Sequence, residues 1–290
     1  MYADIASNKR KSVVLISLFA AIVIALGWGF GLYAGNGRAG IVIAALVATV
    51  MTLVGYYKGD AVSLAASGAR RVEKRDAPEL CVLVENLSIA AGLPTPATYV
   101  IDDPSPNAFA TGRDPRHASV AVTTGMLAML EKQELEGVLA HELSHIGNYD
   151  IRVMTLVVVL VGVILLLSDW MLRLGFRRDE KSHPALLAIA LVLALLSPLF
   201  AQLIKLAVSR SREHLADASG ALLTRYPEGL ARALQKIATA DLPLRRANHA
   251  TAHLFLANPF DPHVTKKFEH WFSTHPPIEE RIARLRAMGV

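Results

Sequence analysis

The sequence predicts a mainly α-helical chain with a small β-sheet, built as an integral membrane protein with about four transmembrane helices and one aqueous domain. Two observations carry this expectation. Hydrophobic residues fill 53% of the 290 positions and charged residues only 19%, where a soluble domain carries about 25% charge. Four uncharged runs also stand out: Val13 to Tyr33 with 21 residues, Ala39 to Tyr57 with 19, Val153 to Ser168 with 16 and Ala185 to Ile204 with 20. About 20 helical residues at about 1.5 Å each span a hydrocarbon core of roughly 30 Å. The first, second and fourth runs meet that length, and the third needs its flanks.

Residues 1–57 predict an N-terminal transmembrane hairpin. The first run exceeds the apolar core of a cleaved signal peptide, about 7–15 residues, and Gly35-Asn36-Gly37-Arg38 leads directly into the second run. Lys9, Arg10 and Lys11 precede the hairpin and put the N-terminus in the cytoplasm by the positive-inside rule, so the chain returns there at Lys58.

Residues 58–150 read as an aqueous half-domain of mixed structure. Ala61 to Val84 is charged and amphipathic and predicts a helix. Thr98 to Ile101, Asn107 to Thr111 and Ser119 to Val122 predict short strands, the first two separated by the Pro- and Asp-rich turn Asp102 to Pro106. Helical spacing resumes from Glu131 through Asn148. Residues 151–206 then predict a second transmembrane hairpin. Its loop holds Arg173, Arg177, Arg178 and Lys181, although counting crossings puts that loop outside; that charge is the mark of a hairpin that crosses incompletely or sits deep against the inner surface, and two crossings are kept as the default expectation. Residues 207–290 return to polar helix, then an irregular stretch from Asp241 to Phe272, a candidate gate, and a terminal helix from Pro277 to Met288.

The net charge of +5 comes from Lys and Arg clustered beside the apolar runs. No recognition motif accompanies them, so membrane-flanking charge accounts for them and no nucleic-acid partner is expected. Cys81 is the only cysteine, which excludes an intramolecular disulfide; its apolar surroundings predict a small buried side chain.

Chemistry concentrates in His141-Glu-Leu-Ser-His145. Residues at i and i+4 of a helix lie about 40° apart around it and about 6 Å apart along it, so both imidazoles reach one ion. With 10 histidines in the chain, chance yields roughly 0.015 such matches. Zinc suits neutral imidazole, and a catalytic site uses three protein ligands. Glu142 is placed to take a proton from an attacking water. Ser211-Arg-Glu213-His-Leu-Ala-Asp217 supplies the third donor, Glu213, with Asp217 on the same helix face to hold a ligand imidazole in one tautomer. His145 and Glu213 must share one side of the membrane, which demands an even number of crossings between them, and two runs lie there.

Four motifs together carry a family resemblance: Asn107-Ala-Phe-Ala-Thr-Gly112, His141-Glu-Leu-Ser-His145, Ser209-Arg-Ser-Arg-Glu213 with Asp217, and Ser273-Thr-His-Pro-Pro277 with Glu280-Arg-Ile282. In these, along nearly its whole length, the chain resembles the HtpX-type membrane metallopeptidases, gluzincins related to the CAAX-prenyl endopeptidases. The resemblance implies a cytoplasmic gluzincin-type zinc peptidase domain in a bacterial inner membrane. It also implies one Zn2+ per chain and endoproteolysis of damaged or misfolded membrane proteins and other unfolded polypeptides. It makes Asn107, Ala108, Phe109 and Ala110 a substrate-binding edge strand, and His275 a residue that stabilises the oxyanion. Arg281 is expected to pair with an acidic neighbour for structure. His214, where the family more often has an aromatic, is expected at the surface or in packing.

His249 and His253 share i,i+4 spacing but enclose no glutamate, so a mobile loop beside the cleft is favoured over a second metal site. His117, His183, His263 and His270 show no partner. If the zinc helix runs on into the third apolar run, the ion sits close above the bilayer. Two other readings stand beside this one. A CAAX-type endopeptidase shares the zinc motifs but is larger, with more spans. A non-catalytic membrane scaffold or chaperone with structural zinc needs a fourth protein ligand.

Overall fold

The computed structural model describes residues 2–33, 35–175, 210–240, 242–245, 251–257 and 276–288. Helices α1 (Tyr2–Tyr33) and α2 (Gly37–Ala66) form the expected hairpin, and Asn36 caps α2 by accepting a hydrogen bond from the Ala39 amide at 3.0 Å. Glycines set how closely they pack. A Cβ at Gly27 would collide with Ala44, and one at Gly40 with the backbone of Gly27 and Gly31. Val42, Ile43, Leu46 and Val50 on the outer face stay more than half exposed. Ile5–Gly29 and Gly37–Ala66 are both long and apolar enough to cross a membrane.

The helix expected from Ala61 to Val84 is broken. Gly68 adopts a left-handed conformation, φ 70°, at the end of α2. Beyond it Ala69–Arg71 becomes strand β1, and a new helix, α3 (Pro78–Ala91), starts with proline in its first turn. The amphipathic spacing was real, but a sheet edge captured its middle: β1 pairs antiparallel with β2 (Ala97–Ile101). Strands β3 (Ala108–Asp114) and β4 (His117–Thr123) complete a four-stranded sheet of order β1-β2-β4-β3, in which β2 and β4 run parallel. Ala108 lies opposite Val122 in the antiparallel β3–β4 pair, so β3 forms one edge of the sheet. His117, for which the sequence offers no partner, pairs with Asp114 at 2.8 Å beside that turn.

After the short α4 (Thr124–Met129) comes α5 (Lys132–Gly147), the helix that carries the zinc motif. Glu131 and Glu134 start it with a reciprocal capping box. Val138, Leu139, Leu143 and Ile146 are buried against Ala108, Ala110, Val120 and Val122 of the sheet, with Leu230, Leu234 and Leu285 from later helices. Cys81 is a buried member of this core.

Helix α5 does not run on into the third apolar run. Tyr149 takes a left-handed conformation, φ 62°, and α6 begins afresh at Asp150. A side chain in that conformation costs about 1–2 kcal/mol, so surrounding contacts must hold it. Helix α6 (Asp150–Gly175) has 26 residues, about 39 Å, and contains the third run together with residues on both sides of it. Val153, Leu156, Val157 and Leu160 are buried against α1 and α2. The fourth run, Ala185 to Ile204, and Arg177, Arg178 and Lys181 of the preceding loop lie outside the described residues. Helices α7 (Arg210–Thr224), α8 (Pro227–Thr239) and α9 (Ile278–Ala287) close around α5. Gly220 decides how near α7 comes: a Cβ there would stand 2.9 Å from the His141 backbone nitrogen.

Candidate active site

Helical spacing on α5 and the close approach of α7 bring His141, His145 and Glu213 together, all buried. The Nε2 atoms of His141 and His145 are 3.1 Å apart, and Glu213 lies 3.8 Å from the first and 3.5 Å from the second. A tetrahedral ion with ligands at about 2.0–2.1 Å spaces its donors by about 3.3 Å, so these separations fit zinc.

The surroundings fit it as well. His141 Nδ1 lies 2.9 Å from Asp217, and His145 Nδ1 lies 2.9 Å from Asp150. A proton on each Nδ1 satisfies these carboxylates and leaves both Nε2 lone pairs aimed at each other, an arrangement that a cation resolves. Among the described residues, four buried carboxylates surround the imidazoles (Glu142, Asp150, Glu213 and Asp217), against the two guanidinium groups of Arg212 and Arg281. Within this described set the formal excess is two negative charges, the complement of a divalent ion. Burial pulls the His145 imidazole down, but the Asp150 hydrogen bond and the Glu213 and Asp150 charges outweigh it and raise its pKa to about 9. The site attracts positive charge strongly at that ring.

Glu142 is buried, with the backbone amide of Ala110 on β3 near its carboxylate. Burial pushes its carboxyl up from the ordinary range, with the neighbouring imidazoles opposing. A carboxylate so placed is a competent proton acceptor.

Arg281 pairs with an acidic neighbour, as expected, and it does so fully buried beside the imidazoles. Its Nε and Nη2 donate to the two Asp217 oxygens at 2.9 and 2.7 Å, and Nη1 lies 3.8 Å from Glu213. Burial opposes charge on Asp217, but Arg281 and the His141 hydrogen bond hold its carboxyl well below the usual range. The buried acidic pair on α7 was the signal that a cation had to be found. Asp150 was missed for a different reason: five positions on a continuous helix lie about 140° apart, so only the break at Tyr149 turns it toward His145.

On the edge strand, Ala108 and Ala110 face α5 while Phe109 points to the other side of the sheet, edge-on to Phe255 at 5.1 Å. The edge carries a covering segment. The Ala108 carbonyl accepts from the Leu256 amide at 3.0 Å, and the Asn107 side chain bonds both backbone groups of Ala257. His253 is a core residue rather than part of a loose loop: it is buried, with Nε2 donating to the Met154 carbonyl at 3.0 Å. His214 is partly buried and faces Glu280 at 3.4 Å. His275, His183, His249, His263 and His270 lie outside the described residues.

Comparison with known proteins agrees with this geometry. Residues 74–289 match the description of peptidase family M48. A "Protease HtpX homolog" of Dictyoglomus turgidum is 47% identical over 99% of this chain and 95% of its own length. One of Tropheryma whipplei is 48% identical over 100% of this chain and 99% of its own length. The crystal structure of S. mikatae Ste24p resembles the fold with a TM-score of 0.51 at 18% identity, over 98% of this chain and 67% of that one.

Proposed function

Since the chain belongs to peptidase family M48, we propose that it is a membrane-bound zinc endopeptidase that cleaves misfolded, damaged or unfolded polypeptides. Membrane proteins are its main substrates in this reading, and its role is membrane protein quality control. Its active site faces the cytoplasm of a bacterium, with the α1–α2 hairpin in the lipid bilayer of the inner membrane. The observation that carries the reading is the buried cluster of three convergent donors, His141, His145 and Glu213, with Glu142 buried beside them.

His141, His145 and Glu213 would hold the zinc, which when bound polarises a peptide carbonyl and makes water more acidic. Asp217 and Asp150 keep the two imidazoles protonated at Nδ1 and open at Nε2. Glu142 takes the proton from the attacking water and passes it to the leaving amine. An extended polypeptide adds to β3 by backbone hydrogen bonds, which bind without demanding one side-chain sequence. For this the Leu256 amide must leave the Ala108 carbonyl. His275 stabilises the oxyanion in this reading.

The deciding experiment is casein cleavage by the full-length chain, with and without chelator, compared with Glu142→Gln. The expected result is chelator-sensitive cleavage by wild type, and a variant that keeps its zinc while losing about 10²–10⁴-fold in rate. Normal turnover by Glu142→Gln overturns the assignment.

A further inference from the structure

Asp150 divides its two carboxylate oxygens between different tasks. Oδ2 lies 2.9 Å from His145 Nδ1. Oδ1 is held from the far side, by the Asn8 amide group at 2.7 Å and by Arg212 Nη1 at 3.0 Å. Arg212 Nη1 also donates to Asn8 Oδ1 at 3.0 Å, so both ends of the Asn8 side chain are engaged. Asn8, Asp150, Arg212 and His145 are all buried.

Asn8 lies near the N-terminal end of α1, the first membrane helix. The same end of that helix also holds the backbone break that places Asp150. Asn8 Nδ2 donates to the Asn148 carbonyl at 2.9 Å, where α5 ends, and Lys9 sits over the Tyr149 ring at 5.2 Å. These contacts meet the strained left-handed residue from one side. Arg212 adjoins Glu213 on α7, so one carboxylate ties together α1, the α6 start bearing it and both ligand-bearing helices.

We propose that Asn8 is a positioning residue of the metal centre, orienting Asp150 and through it the His145 imidazole, so that the first membrane helix governs how tightly the ion is held. The proposal rests on the metallopeptidase reading above. A side chain that only docked α1 would need apolar surface, whereas Asn8 spends three polar contacts on Asp150, Asn148 and Arg212. Hydrogen-bond partners of this kind around a ligand change metal affinity by about 10–100-fold.

The test uses the detergent-solubilised full-length chain, with zinc affinity read by chelator competition. Absorption of the cobalt-substituted protein and melting of the metal-free protein are measured alongside. Asp150→Ala is expected to bind zinc about 10–100-fold more weakly and Asn8→Ala about tenfold more weakly. Asn8→Asp keeps the volume but sets a carboxylate against Asp150, and should weaken binding further. Both Asn8 variants should alter the cobalt spectrum. Unchanged zinc affinity and cobalt spectrum, with only the metal-free melting lowered, overturn the proposal and make Asn8 a docking residue. Should Asn8→Ala prove insoluble, Asn8→Asp carries the same decision. A wild-type chain without stoichiometric zinc overturns the peptidase reading and this proposal with it, so the wild type tells the two failures apart.

Discussion

Arg281 grips Asp217 with two parallel hydrogen bonds, at 2.7 and 2.9 Å, from a position with no solvent exposure of its side chain. Asp217 in turn holds His141. One guanidinium thus sits two contacts away from His141, a proposed ligand of the ion, and removing it has consequences for fold and metal together.

Arg281→Ala leaves Asp217 buried without its cation, and breaking such a pair costs about 3–5 kcal/mol. Thermal melting of the metal-free variant measures that loss. The sign with pH follows from the depressed Asp217 pKa. A carboxyl whose folded pKa lies below its unfolded value contributes stability above the unfolded value, about 3.9, and loses it as pH falls further. The difference in stability between wild type and Arg281→Ala should therefore be full at neutral pH and shrink in acid. A constant difference across that range would assign Arg281 to packing alone.

His141→Ala and Glu213→Ala should lose zinc and cleavage together, in contrast with Glu142→Gln, which loses cleavage alone. Metal analysis of the purified variants separates these outcomes. Retention of stoichiometric zinc by Glu213→Ala would remove it from the ligand set.

Gly220→Val tests how α7 reaches α5. The added Cβ meets the backbone of Ala140 and His141 at 2.9–3.2 Å, and backbone cannot swing away as a side-chain end can. Overpacking of this kind costs about 1–3 kcal/mol. Glu213 should move off the two imidazoles, and zinc affinity should fall with stability. Undiminished affinity would mean that α7 is positioned by its other contacts.

Leu256 and an extended substrate compete for one acceptor, the Ala108 carbonyl. Leu256→Pro removes the donor, and Phe255 already has the extended backbone, φ −73° and ψ 144°, that a following proline requires. KM for an unfolded substrate should fall in this variant. An unchanged KM in a folded variant would place substrate away from the β3 edge.

Spacing along single elements was legible in the chain. The apolar runs announced the α1–α2 hairpin, and the strands near residues 98, 108 and 119 emerged within a few residues of their expected bounds. Convergence of His141 with His145 followed from one helical turn, and that of Glu213 from the requirement for a third donor. The predicted helix over Ala61 to Val84 failed because amphipathic spacing could not reveal that β1 would pair with β2.

By itself, then, the sequence determined the hydrophobic pattern, the helix that carries His141 and His145 and the candidate donors on it, because helical periodicity is a local property read within a turn or two. Only the tertiary structure decided what surrounds them. Arg281 meets Asp217 across 64 positions, and Arg212 meets Asn8 across 204. The pairing of buried charge follows distance in space, and no periodicity along the chain encodes it. The left-handed turn at Tyr149 belongs to the same class: it lies where Asn8 and Lys9 of α1 meet the end of α5, and that one departure from the helix brings Asp150 to His145.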